Sequence, residues 1–307
     1  MARYLMEKAL KNRLTFGSIM LAGLFGLLWL DDAAQMWTRD WMLARFNVRG
    51  GVGGLGLLGI MLLLNPLAVD ELAVLFTAEK VRPYRVVAGT GAFLIVLHAF
   101  LTQFPPFRPI AASTFAFIIV FVMLTAALSR ALRQQTQEAI TRMAGTVLAM
   151  MYLGGLFWFL MAIRVKHSAN EGGFHGTTWV VLSILLMVKS TDIGAYFGGR
   201  ALGKHKLIPW LSPGKTWEGL ACGLLTAGLV GMACATKIPH VPWGKGFVFG
   251  VIIGGIGQLG DLLESLMKRD AEVKDSGSLV PGFGGILDII DSPLLAAPFA
   301  YILFSLF

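Results

Sequence analysis

The sequence predicts an all-α, polytopic transmembrane protein with about nine membrane-spanning helices, N-terminus in and C-terminus out. Three observations carry this. Hydrophobic residues make up 56% of the 307 and charged residues only 14%, with a mean hydropathy of +0.70, a balance foreign to water-soluble domains of this length. Apolar windows of bilayer length recur along the whole chain. Lys and Arg are shared unequally between alternate connecting loops.

The first window, 14–30, follows Arg3, Lys8, Lys11 and Arg13. It has the look of a signal peptide, but eight more windows follow and no persuasive small-x-small cleavage site is present, so an uncleaved span is expected. The others fall near 51–69, 86–103, 110–128, 143–163, 176–197, 217–235, 246–263 and 289–307, with Gly, Asp or Glu interrupting the second and the last two. With the N-terminus cytoplasmic, the inner segments hold 17 of the 26 cations and the opposite loops eight, Arg164 among them, while Lys189 sits within a helix. That bias sets the orientation. The net charge of +8 reflects it together with attraction to anionic lipid headgroups. No soluble domain exists to carry nucleic-acid binding, so none is expected. Cys222 and Cys234 fall on one helix, about 18 Å apart, too far to bridge. No repeat and no linker divides the chain. A single integral-membrane domain over 1–307 is expected, with 1–175 supplying lipid-facing and packing helices and 176–307 the chemistry.

Two polar blocks interrupt the apolar C-terminal half. Gly260–Asp291 holds five Asp, two Glu, three cations and a Pro-Gly-Phe-Gly-Gly turn. Asp261, Glu264, Ser265 and Lys268 are spaced i, i+3, i+4, i+7, on one helical face. Asp288 and Asp291, i and i+3, open the last helix. As isolated acids they are helix-terminal charges favoured by the dipole. As two clusters flanking one hairpin they are hard oxygen ligands for Mg²⁺. In the second block Lys189, Asp192 and Tyr196 share a face, where Asp192 either neutralises Lys189 or serves the site. The loop beyond, with Arg200, Lys204, His205, Lys206 and Lys215 among Gly and Pro, suits a polyphosphate or a phospholipid headgroup. Gly198–Lys204 fits G-x-x-x-x-G-K, but His205 follows in place of Ser or Thr and no strand precedes, so it is not a P-loop. Thr216 and Glu218 open the next helix as caps, or with Lys215 as a phosphate site.

D-x-x-A-Y-x-x-G-R-x-x-G-K-H-K-L-x-P-x-x-S-P-x-K-T-x-E-G over Asp192–Gly219, followed by G-D-L-x-E-S-x-x-K-R-x₄-K-D and P-G-x-G-G-x-L-D-x-x-D-S over Gly260–Ser292, closely resembles the phosphatidate cytidylyltransferase (CDP-diacylglycerol synthase) family. The motifs lie within residues 188–298; the N-terminal half agrees in general character. Phe283 and Ile289 stand where the family signature usually has His and Arg. The resemblance implies transfer of CMP from CTP to phosphatidic acid, giving CDP-diacylglycerol and pyrophosphate, at the cytoplasmic side of the cell (inner) membrane. It implies Asp261 and Asp288 as primary Mg²⁺ ligands, with Glu264 and Asp291 beside them and the number of cations left open. Lys274, Asp275 and Asp192 are the expected catalytic residues. Ser212, Lys215, Thr216, Glu218, Lys268, Arg269, Gly282, Gly284 and Gly285 are expected to bind substrate. CTP, phosphatidic acid and membrane lipids are the expected partners, with a homodimer left open. A CTP-dependent lipid kinase, a cytidylyltransferase for another lipid, and a transporter built on Lys189 and Asp192 are the alternatives.

Overall fold

The computed structural model describes residues 2–166, 176–238, 241–277 and 279–306. The side chains of 2–14, which include the four N-terminal cations, lie outside that description. Every expected apolar window coincides with a helix. They are α1 (Ala2–Trp37), α3 (Leu55–Ala78), α4 (Arg85–Leu101), α5 (Ala111–Ala131), α6 (Ala139–Met150) continued by α7 (Leu156–Lys166), α8 (Gly176–Leu202), α9 (Trp217–Ala235), α10 (Trp243–Asp270) and α11 (Leu287–Leu306). A short α2 (Arg39–Phe46) follows α1. Eight spans among the described residues are long and apolar enough to cross a bilayer; the ninth, α4, is apolar but has 17 residues. The helices overrun the apolar windows, and the overrun carries the polar residues of interest at the ends of α8 and α10.

α9 packs between α8 and α10 through small residues. A Cβ at Gly231 would lie 2.9 Å from the Gly250 Cα, and one at Gly223 would lie 2.7 Å from the Thr191 carbonyl oxygen. In lipid, where tail and side chain are equally apolar, such close backbone approach drives association. α11 seats against α7, α8 and α10, with Leu287, Leu294, Ala296, Ala297 and Ala300 fully buried.

The loop after α8 is not irregular throughout. It forms an antiparallel hairpin, β1 (Lys206–Ile208) and β2 (Ser212–Thr216), with Lys206 opposite Thr216 and Ile208 opposite Ser212. Its turn is Pro209-Trp210-Leu211, and Trp217 N donates to the His205 carbonyl at 3.0 Å.

Arg164, counted above as a loop cation, lies inside α7 with 0% side-chain exposure. Its Nε donates to Asp31 Oδ2 at 2.8 Å and its Nη2 to Gln35 Oε1 at 2.7 Å and Asp32 Oδ1 at 3.4 Å. Thr178 of α8 hydrogen-bonds Asp32 as well. The C-terminal ends of α1 and α7 and the start of α8 are thus tied by a buried charge network. The start of α8 also meets the end of α9, Trp179 Nε1 donating to the Cys234 carbonyl at 3.1 Å.

Candidate functional site

α10 turns its charged residues inward. Asp261, Glu264 and Lys268 share the face that the sequence spacing places together, with Glu264 and Lys268 buried. α11 starts against this face and delivers Asp291 in its second turn, 2% exposed. One carboxylate oxygen from each of Asp261, Glu264 and Asp291 lies within 4.8 Å of the other two. Glu264 Oε1 and Asp291 Oδ2 are buried and accept no hydrogen bond; Asp291 Oδ1 accepts one from Ser292 Oγ at 3.1 Å. Tyr152 lies on the π-helical turn Met151–Gly155 between α6 and α7. Such π turns inside α-helices often mark functional positions.

Two lysines border the cluster. Lys215 from β2 pairs with Asp261. Lys268 Nζ stands 3.2 Å from Glu264 Oε2 and 2.6 Å from Asp288 Oδ1. Four carboxylates therefore face two ammonium groups, an excess of two negative charges in a largely desolvated place. Buried carboxylates are stable as anions only beside a cation or donors. Hard oxygens with open lone pairs, at that charge excess, fit a divalent cation such as Mg²⁺, held by Asp261, Glu264 and Asp291.

Asp288, expected beside Asp261 as a primary ligand, is placed differently. Its Oδ1 accepts from Lys268, and its Oδ2 accepts from Gly285 N at 2.7 Å, Ser276 Oγ at 3.0 Å and Ser276 N at 3.2 Å. The donors of the turn reach it first, so it closes the 276–288 turn and Asp291, one helical turn deeper, joins the cluster.

Asp192 lies beside the site. Its Oδ2 is 3.7 Å from Lys189 Nζ, and its Oδ1 accepts from Gln258 Nε2 at 2.7 Å. The pairing with Lys189 is thus present, and Gln258 orients the other oxygen. Thr216 caps α9, its Oγ1 accepting from Gly219 N at 3.1 Å. Glu218 is engaged by the loop before β1. It accepts from Lys204 N at 3.1 Å and from His205 N and Nδ1, the last at 2.6 Å, and so clamps the loop that precedes β1. Ser212 begins β2, half-buried. Arg269 is exposed and donates to the Val273 carbonyl at 3.2 Å. Lys274 and Asp275 are exposed on the turn.

Gly282 and Gly284 have φ of 90° and 95°, the left-handed region that favours glycine. Gly285 serves packing: a Cβ there would overlap Ser276 Oγ and the Glu71 carboxylate.

Glu71 and Gln258 escaped the sequence reading. Glu71 comes from α3, in the half expected only to pack. The available signal was the pair Asp70-Glu71 within an otherwise apolar helix; Gln258 was the polar residue among the glycines of α10.

A sequence model described as the cytidylyltransferase family matches residues 34–307. A phosphatidate cytidylyltransferase of Bacillus subtilis (strain 168) is 40% identical over 162 residues, which is 52% of this chain and 57% of that protein. One of Haemophilus influenzae is 41% identical over 145 residues, 46% of this chain and 50% of the other. An uncharacterised Escherichia coli (strain K12) protein, YnbB, is 36% identical over 146 residues, 46% and 49% of the two chains. The chain spans about half the length of the curated relatives it matches.

Proposed function

Since the chain belongs to the cytidylyltransferase family, we propose that it transfers CMP from CTP to phosphatidic acid, releasing pyrophosphate and leaving CDP-diacylglycerol in the membrane. The observation that carries this reading is the trio of buried Glu264 and Asp291 with half-buried Asp261, in which two carboxylate oxygens lack donors. These three would hold a divalent cation, Mg²⁺ by the chemistry of the donors, with a second cation open; when bound it neutralises phosphate charge. The hairpin and the 276–288 turn border the acids through Lys215, Lys268 and Asp288, and on the cation bias of the loops this reading assigns both to the cytoplasmic side, where CTP is found.

An oxygen of the phosphatidate monoester attacks the α-phosphorus of CTP in line as the bond to the pyrophosphate oxygen breaks. That monoester is largely ionised at neutral pH, with a second pKa of about 6, so little general-base help is needed. Phe283 in place of the family's His is therefore compatible with turnover. The protein's work is positioning and charge compensation. Lys215 and Lys268 border the acids and, with Lys274, provide cationic groups for phosphate oxygens. Ser212 and Thr216 flank Lys215 on β2, and Asp192, oriented by Gln258, steadies Lys189 at the rim. Asp275 and Arg269 lie on the solvent side of the turn, where the triphosphate enters.

The test follows the label. With α-labelled CTP and phosphatidic acid the lipid fraction becomes radioactive, and with γ-labelled CTP it does not. The reverse pattern would establish a lipid kinase, and label from neither would remove the enzyme reading. Replacing phosphatidic acid by other phospholipid monoesters in the same assay fixes the acceptor.

A further inference from the structure

Glu71 is a carboxylate on a membrane-spanning helix, 8% exposed, and with its neighbour Asp70 it interrupts an otherwise apolar run. An acid in that setting is costly unless it is fully satisfied. Its Oε1 accepts from Ile286 N at 2.9 Å; its Oε2 accepts from Leu287 N at 2.9 Å and lies 3.2 Å from Ser276 Oγ. Leu287 N belongs to the first turn of α11, where unpaired amides and the helix dipole favour an anion. The glycines of the turn are shaped to it, since a Cβ on Gly277 would come within 2.6 Å of Glu71 Oε1. Ser276 Oγ is also 3.0 Å from Asp288 Oδ2. One hydroxyl proton thus stands between two carboxylates and can serve only one of them at a time. Asp288 in turn holds Lys268, and Lys268 borders Glu264. A continuous polar path runs from α3, in the N-terminal half, to the acid cluster.

We infer that Glu71 is a positioning residue: it fixes the 276–288 turn and, through Ser276 and Asp288, holds Lys268 at the distance from Glu264 that the cluster needs. This rests on the cytidylyltransferase reading for its effect on turnover, but not for the clamp itself. Without Glu71 the first amides of α11 lose their acceptor, the Ser276 hydroxyl turns wholly to Asp288, and Lys268 becomes free to move towards Glu264 and Asp291.

The test uses the full chain in lipid nanodiscs. In Glu71→Gln, amide hydrogen exchange at Ile286 and Leu287, measured without substrate, should speed up about tenfold while exchange in the α9–α10 interface stays unchanged. Its kcat for CMP transfer should fall at least tenfold with KM for phosphatidic acid within twofold. Glu71→Asp keeps the charge but is one methylene short, and should be as slow as Glu71→Gln. The double variant Glu71→Gln with Asp288→Asn should be no slower than Asp288→Asn alone, since both act along one path. Should Glu71→Gln fail to fold, Ser276→Ala, which removes only the shared hydroxyl, replaces it in the kinetic cycle with the same expected coupling. Unchanged exchange, full activity of Glu71→Asp, or losses that multiply would each overturn the inference. A wild-type chain that transfers no CMP would refute the reaction, and the exchange measurement would still decide the clamp.

Discussion

Replacing Asp291 by Asn should make the cation-free protein more stable while destroying its response to Mg²⁺. Asp291 is 2% exposed, and among the described residues no cation lies within 4 Å of it. It faces Glu264, with oxygens no more than 4.8 Å apart. Two full charges at that separation repel by about 3.5 kcal/mol at an effective dielectric near 20. Sharing or taking up a proton relieves part of this, so the realised gain is smaller. Asn keeps an oxygen for the Ser292 hydroxyl and brings an NH₂ that can donate to the unpartnered Glu264 Oε1. A net stabilisation of roughly 1–3 kcal/mol is expected, the size of a charge-assisted hydrogen bond gained and a repulsion removed. The assay is thermal melting of purified protein in EDTA and in millimolar Mg²⁺. Wild type should melt higher with Mg²⁺, whereas Asp291→Asn should melt several degrees above wild type in EDTA and show little further rise. Turnover should fall by orders of magnitude. A variant that melts lower in EDTA and still responds to Mg²⁺ would refute the reasoning, because Asp291 would then be a structural acid rather than one of three ligands of a cation site.

Arg164→Met removes the cation from Asp31 and should cost about 3–5 kcal/mol, the usual penalty for stranding a buried charge, read as a fall in melting temperature with the ratio of kcat to KM preserved below the transition. Phe283→His should leave the rate within about tenfold, or 1.4 kcal/mol in barrier, with no new pH dependence near neutrality; a large gain with such a dependence would mean that the position performs proton transfer. Cysteines placed at the exposed positions Lys204 and Phe283 should label from the cytoplasmic side only and one at Lys237 from the opposite side only, and labelling of Lys204 and Phe283 from different sides would separate the hairpin from the turn. Gly231→Val forces α9 away from α10 and should destabilise by about 1–3 kcal/mol as overpacking does, measured by the same melts.

Much of the architecture was legible because the bilayer imposes a simple rule. A chain with no water to satisfy its backbone must be helical, so windows of apolar residues became spans almost one for one, and Cys222 and Cys234 landed on a single helix as their spacing required. Local periodicity also placed Asp261, Glu264 and Lys268 on a common face. The β1–β2 hairpin was missed because Gly and Pro in Gly203–Gly214 read as loop, and a strand of three residues has no periodicity to detect. Arg164 was misplaced as a loop cation because its burial is made tolerable by acids on α1, a helix distant in sequence.

The sequence by itself determined the membrane class, the positions of the spans, the two polar blocks and the family they resemble, since each depends on composition or on spacing within one segment. The tertiary structure alone decided which acids meet. Asp288 and Asp291 are three residues apart and chemically alike, yet one is held by Lys268 and the donors of its own turn while the other faces Glu264 with one oxygen that accepts nothing. Glu71 reaches the same turn from a helix about 200 residues earlier in the chain. Partnership between distant residues depends on how helices pack, and no local pattern encodes which of two neighbouring carboxylates will find its charge already answered.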